Sequence, residues 1–177
     1  MMLNRTLAAV ILIVGAALPC AAQTPCRRNL ESGFSYCPPD GWSIKQSLDD
    51  KFKSFLGPSS SILTPNIQAT EEDNEAPLSD HVAVGIKYIL ANLQRTGATA
   101  VTVLNQSEFV TASGLRGIKV VFHVENSAKA LMVRTYQYYF SGRGSRKLVL
   151  SASVLEFDRN AYEPMFDRAM KTFQIDK

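Results

Sequence analysis

The chain has 177 residues with 19 Lys and Arg against 16 Asp and Glu, a net charge of +3, and 46 % hydrophobic and 9 % aromatic side chains. That length allows one globular domain, and the hydrophobic content excludes a disordered chain. The basic residues are scattered rather than gathered into a stripe, which argues against a nucleic-acid partner, and no repeat at a fixed period announces a solenoid.

Arg5 precedes an apolar run from Leu7 to Leu18, and Cys20, Ala21 and Ala22 follow it. A charged start, a short apolar stretch and small residues are the layout of a secretory signal peptide. The run is about a dozen residues long, well short of the roughly 20 that a transmembrane helix needs. Residues 1–22 therefore read as a cleaved leader with the cut between Ala22 and Gln23, and 23–177 as a single mature domain with no stable membrane insertion. Acylation at Cys20 is the competing reading, and Pro19 immediately before it speaks against that. Losing Arg5 leaves 18 basic against 16 acidic side chains. A domain of this size buries roughly 70 % of its unfolded surface, enough for one core.

Two cysteines remain after processing, Cys26 and Cys37. An even count in an oxidising compartment reads as a disulfide. It would tie the N-terminal arm to the first strand and contribute about 3 kcal/mol in the chain-entropy model. A redox or metal-binding thiol pair is the alternative, although the spacing is not C-x-x-C and no His is near in sequence.

In chain order, Phe34 and Tyr36 before Pro38-Pro39-Asp40-Gly41, and Trp42 and Ile44 after it, predict two short strands around a type I turn, with Pro39 presetting φ and Gly41 in the fourth position. Residues 52–71 predict two more strands, broken at Gly57-Pro58. The acidic run Glu71-Glu72-Asp73-Asn74-Glu75 lacks the spaced D-x-D-x-D-G of a calcium loop and reads as a solvated loop. Val82, Ile86, Ile89, Leu90 and Leu93 share one helical face, predicting a helix over 79–96. Ser79 or Asp80 would cap it, Arg95 suits its last turn and Gly97 its left-handed stop.

Residues 100–156 predict four consecutive antiparallel strands. Ile118, Val120, Phe122 and Val124 form an apolar face, while Lys119, Val121, His123 and Glu125 form a mixed one. Tyr136, Tyr138 and Phe140 alternate onto one face with Met132 and Arg134, as core beneath a helix. Leu148, Leu150, Ala152 and Val154 line a face of the next strand. Asp158 or Asn160 opens a last helix with the stripe Tyr162, Phe166, Ala169, Met170 and Phe173, and Pro164 must lie in its first turn or bend it. Two amphipathic helices on a long antiparallel sheet make an α+β fold.

Residues that carry chemistry are sparse. His81, beside Asp80 at a helix start, reads as exposed, and His123 sits mid-strand. The two are not spaced as a metal pair, so no metal site is expected. No G-x-S-x-G elbow is present, and Ser59-Ser60-Ser61 is a polar turn. Gly142 and Gly144 mark a hairpin tip and not a nucleotide loop, and no cofactor is expected. Glu156 with Asp158 is a conceivable acid–base pair, with capping as the plainer role for Asp158. Arg143, Arg146 and Lys147 gather at the hairpin tip, with Lys129 and Arg134 as candidate neighbours. They are the candidate partner-binding residues because guanidinium forks suit carboxylate or phosphate. Solubility and protection of a sheet edge are the plainer reading of the same charges.

F-S-Y-C-P-P-D-G-W at 34–42, the strand Ser107 to Val110 leading into G-L-R-G-I-K-V at 114–120, Y-Q-Y-Y-F at 136–140 and F-D-R-N-A-Y-E-P-M-F-D-R-A-M-K-T-F at 157–173 together resemble the PsbP-like superfamily. That superfamily includes the extrinsic photosystem II protein, the bacterial envelope protein DcrB and mycobacterial lipoproteins. The resemblance implies a central antiparallel sheet flanked by α-helices, an α/β/α sandwich. It implies binding or assembly with protein partners or small ligands, and no enzyme. The matched positions are structural and transfer no binding residue. The expected function is a non-catalytic binding or assembly module of the cell envelope, periplasmic or extracellular and monomeric, with a protein partner or small ligand. An envelope hydrolase whose site is assembled from distant residues is the alternative.

Overall fold

The computed structural model describes residues 26–29, 33–45, 54–58 and 62–176. The proposed leader with its cleavage point, Cys20 and the Ser59–Ser61 turn lie outside the described residues. Strands β1 (Arg27–Asn29), β2 (Phe34–Tyr36), β3 (Ser43–Lys45), β4 (Ser54–Leu56) and β5 (Asn66–Asp73) precede helix α1 (Leu78–Arg95). Strands β6 (Ala100–Val110), β7 (Arg116–Asn126), β8 (Leu131–Ser141) and β9 (Arg146–Leu155) follow it. A 3-10 turn (Glu156–Asp158), helix α2 (Arg159–Lys171) and the short β10 (Gln174–Ile175) end the chain.

The four expected strands β6 to β9 form an antiparallel meander, and β5 joins it on β9, so a seven-stranded sheet runs β3-β4-β5-β9-β8-β7-β6. A three-stranded sheet, β1-β2-β10, brings the two ends of the described chain together. The fold is α+β, as the periodicities predict. Cys26 and Cys37 form a disulfide across the β1–β2 hairpin. No helix among the described residues is long and apolar enough to cross a membrane.

Each face of the large sheet has its own core. Val120, Phe122 and Val124 of β7 pack with Tyr139, Val149 and Val82 under α1. Gly85 lets that helix approach closely, since a Cβ there would lie 2.9 Å from the Tyr139 hydroxyl. On the opposite face Tyr136, Tyr138, Phe140, Leu148, Leu150, Ala152 and Val154 are buried with Phe166, Met170 and Phe173 from the α2 end. Phe173 stacks on Phe140 with ring centroids 4.5 Å apart and meets Phe34 of β2 at 5.5 Å.

Several expectations are corrected. Glu71, Glu72 and Asp73 are in β5, not in a loop, because they pair with Leu148, Lys147 and Arg146 of β9, where opposite charges meet across the ladder. Helix α1 stops as expected before Gly97, whose φ is +100°. It does not use Ser79 or Asp80 as a cap. Pro77 occupies that position with φ −52°, and its carbonyl accepts from the Asp80 and His81 amides at 3.1 and 3.0 Å. Asp158 precedes α2 but makes no side-chain cap bond, since its backbone is already helical. Pro164 lies in the second turn of α2 and not the first.

Candidate functional site

His123 stands on the mixed face of β7, beyond the end of α2. Its Nδ1 lies 3.0 Å from Glu156 Oε2 and its Nε2 3.0 Å from Glu125 Oε1. Arg134, opposite His123 in the β7–β8 ladder, donates to both Glu156 oxygens, from Nε at 2.9 Å and Nη2 at 2.5 Å. Arg159 is a third partner of Glu156, at 3.1 Å. The Arg134 hydrogen bond is the main reason that the Glu156 carboxyl is held below the usual carboxylate range, with His123 contributing and partial burial opposing. The same bond raises Arg134. A general acid needs the opposite shift, towards neutrality. Each imidazole nitrogen faces a carboxylate oxygen at hydrogen-bond distance.

Two steps along the same face, past Val121, Lys119 is 8 % exposed. Its Nζ donates to Glu163 at 3.0 Å and to both Asp167 oxygens at 2.9 and 3.0 Å, and it lies 5.2 Å from the Tyr136 and 5.7 Å from the Tyr138 ring centroid. The two tyrosine hydroxyls donate to the same carboxylates, at 3.2 and 2.7 Å. Burial first, then those carboxylates, pushes both phenols far above the ordinary tyrosine value, so they stay donors. Mid-strand positions of β7 and β8 thus clamp α2 through Glu163 and Asp167, four apart on the helix.

His81 was expected to be exposed and is 2 % exposed instead. It packs edge-on to Tyr139 at 5.9 Å, and its Nδ1 lies 3.2 Å from Asn74 Nδ2. It lies on the sheet-facing side of α1 with Gly85, which also meets Tyr139, a contact across layers that its place beside Asp80 in the sequence does not reveal. The two histidines sit on opposite faces of the sheet. Among the described residues no group of three or more His, Cys, Asp or Glu is placed to hold a metal ion.

The three charges of the hairpin tip bond in different directions. Arg146 pairs with Glu71 at 2.9 Å, and Lys147, buried on the α1 face, donates to the Asn74 carbonyl at 2.8 Å. Lys129 and Arg134 lie at the other end of the β7–β8 ladder, so they do not extend the tip. Arg143 is exposed and donates to the Asp176 carbonyl. Asp176 is on the wall of an open groove of about 580 Å³, whose other lining residues are Ser113, Gly114, Leu115, Gln174 and Ile175. One wall is the β6–β7 turn, closed by Thr111, which accepts at Oγ1 from the Leu115 amide. The other is β10. The sequence marks Arg143 but not the groove, because β10 takes its place by pairing with β2, far earlier in the chain.

No protein-family model matches the sequence, and no curated protein matches it. Solved structures do. Cyanobacterial PsbP (CyanoP) from Synechocystis sp. PCC 6803 superposes with a TM-score of 0.64 at 13 % identity, over 92 % of this chain and 98 % of that one. LpqN of Mycobacterium tuberculosis, described as involved in cell envelope biogenesis, gives 0.58 at 12 % identity over 86 % and 90 %. The Ran-binding protein Mog1p of Saccharomyces cerevisiae gives 0.60 at 9 % identity over 85 % and 94 %. The chain has the PsbP-like fold, as its aromatic-Pro-Gly-Trp start and closing helix suggest.

Proposed function

We propose that this PsbP-like chain is a non-catalytic, exported binding module of the cell envelope, and that its partner docks at the groove between the β6–β7 turn and β10, with Arg143 on the rim. The observation that carries the reading is a contrast in how charged groups are used. His123, Glu156, Arg134 and Lys119 hold one another and α2 in partly buried clusters, whereas the groove is open and Arg143, which donates to the Asp176 carbonyl at its edge, is exposed to solvent. A fork of that kind suits a carboxylate or phosphate on the partner. Export is supported by the leader-like N-terminus and by the Cys26–Cys37 disulfide, which suits an oxidising compartment. LpqN is described as involved in cell envelope biogenesis and Mog1p as a Ran-binding protein, so the fold serves binding elsewhere.

Site-specific photo-crosslinking in the native envelope tests this. A crosslinker at Ser113 should yield one adduct of defined mass, and the same group at Tyr88 on the outer side of α1 should not. Adducts from Tyr88 and none from Ser113 would move the docking site off the groove.

A further inference from the structure

The two edges of the large sheet differ. One is β3, three residues long, and the other is β6, with eleven. A long edge strand presents unpaired backbone groups, and chains normally guard such an edge with Lys, Pro or a bulge. Strand β6 contains neither Lys nor Pro, and its one charge, Glu108, is paired with Arg116 at 2.8 Å. Residues 104–108 are exposed. Two features close the ends of this edge. The β6–β7 register shifts between Val103 and Asn105, a bulge that breaks the ladder at Leu104. At the other end Lys171 Nζ donates to the Val110 carbonyl at 2.5 Å.

Between those stops, among the described residues, lies a short open window. The Thr111 amide donates inward to the Leu115 carbonyl. Antiparallel alternation therefore turns the backbone groups of Val110, Glu108 and Gln106 outward. With Val110 occupied, Gln106 and Glu108 offer N–H and C=O to a further strand, with Ser107 between them.

We propose that a second copy of this chain fills the window, pairing β6 antiparallel with β6 about a two-fold axis through Ser107. In that register Gln106 of each copy faces Glu108 of the other as a hydrogen-bonded pair, so an amide meets each carboxylate. Leu104 and Val110, the exposed large apolar residues of β6, come to the ends of the same ladder. The two Ser107 residues form the close, non-hydrogen-bonded pair on the axis, where Cα atoms approach to about 4.5 Å and a small side chain is needed. Centring on Glu108 would oppose two carboxylates, and centring on Gln106 would set Leu104 against Glu108 and run the bulge into the ladder. Two exchanging pairs supply about four backbone hydrogen bonds. The contact falls short of the roughly 800 Å² per partner of a stable complex, so it forms at high local concentration.

The mature chain tests this by sedimentation across a wide concentration range, together with two cysteine variants. The wild type should dimerise at high concentration, and Ser107→Lys, which opposes two cations on the axis, should weaken association about tenfold. With oxidised glutathione, Ser107→Cys should give a dimer linked through the two introduced thiols, because a Cα separation near 4.5 Å suits a disulfide. Asn105→Cys should not, since its two copies lie roughly 13 Å apart along the ladder. A wild type that stays monomeric at every concentration, equal cross-linking by the two variants, or capture of position 107 by another protein alone would overturn the second-copy assignment.

Discussion

The two faces of the large sheet hold their helices by different physics. Under α1 the centre of the contact is apolar, with Val82, Val120, Phe122, Val124 and Val149 buried together and Gly85 against Tyr139, and the polar groups buried on that side, His81, Gln137 and Lys147, bond to the Asn74 amide, the Ser151 hydroxyl and the Asn74 carbonyl. Under α2 a comparable apolar layer, rich in aromatic rings, is edged by ionic contacts from Lys119 to Glu163 and Asp167 and from Arg134 and His123 to Glu156. Hydrophobic burial is non-directional, while hydrogen-bonded charges fix distance and angle. The ionic contacts fix α2 on the sheet, while β10, the groove wall beyond it, is held by pairing with β2 and by Phe173 against Phe140 and Phe34. Bulk stability draws on both faces.

The largest expected effect is on the apolar side. Phe122→Ala removes a fully buried ring and should cost about 4 kcal/mol in denaturant unfolding. That loss should be indifferent to salt and to mild acid. Lys119→Met should cost less, about 3 kcal/mol, because it leaves Glu163 and Asp167 facing each other but still in reach of water. Adding Asp167→Asn should recover part of that loss, and purely additive losses would mean that the clamp is not a unit.

Glu156→Gln should cost about 2 kcal/mol at neutral pH, as expected for a lost charge-assisted hydrogen bond. Its pH dependence carries the sharper test. The folded Glu156 carboxyl is depressed below its ordinary value of 4.5 by Arg134 first and His123 next. Its contribution is therefore complete above that value and is lost as pH falls through the folded one. The gap between wild type and Glu156→Gln should close on acidification from about pH 4.5 downward. A gap that stays constant down to strong acid would show that the carboxylate adds nothing through its charge.

Periodicity made the meander and both helices legible, because each has one apolar face that must be covered. Less was readable where two distant segments meet. The run Glu71 to Asp73 looks solvated alone and becomes a strand opposite the basic start of β9. His81 is buried in the first turn of α1 against Tyr139, a cross-layer contact that composition does not mark. Lys119 did leave a signal. A lysine mid-strand on the face shared with Tyr136 and Tyr138, together with carboxylates at 163 and 167 beside the Phe166 and Met170 stripe, is a cross-layer pair waiting for a geometry. Glu156 is harder, since its role needs the register that sets Arg134 opposite His123.

The central claim is that the open groove, and not the closed ionic clusters, meets the partner. Once the Ser113 adduct identifies that partner, its binding to the wild-type chain and to Arg143→Glu measured at low and high salt is the most direct test. Charge reversal at the rim should slow association several-fold at low salt, with the difference shrinking as salt rises and folding stability unchanged. Unaltered binding by Arg143→Glu, together with binding lost in Glu156→Gln under conditions where that variant is folded, would contradict the account and place the contact on the ionic cluster instead.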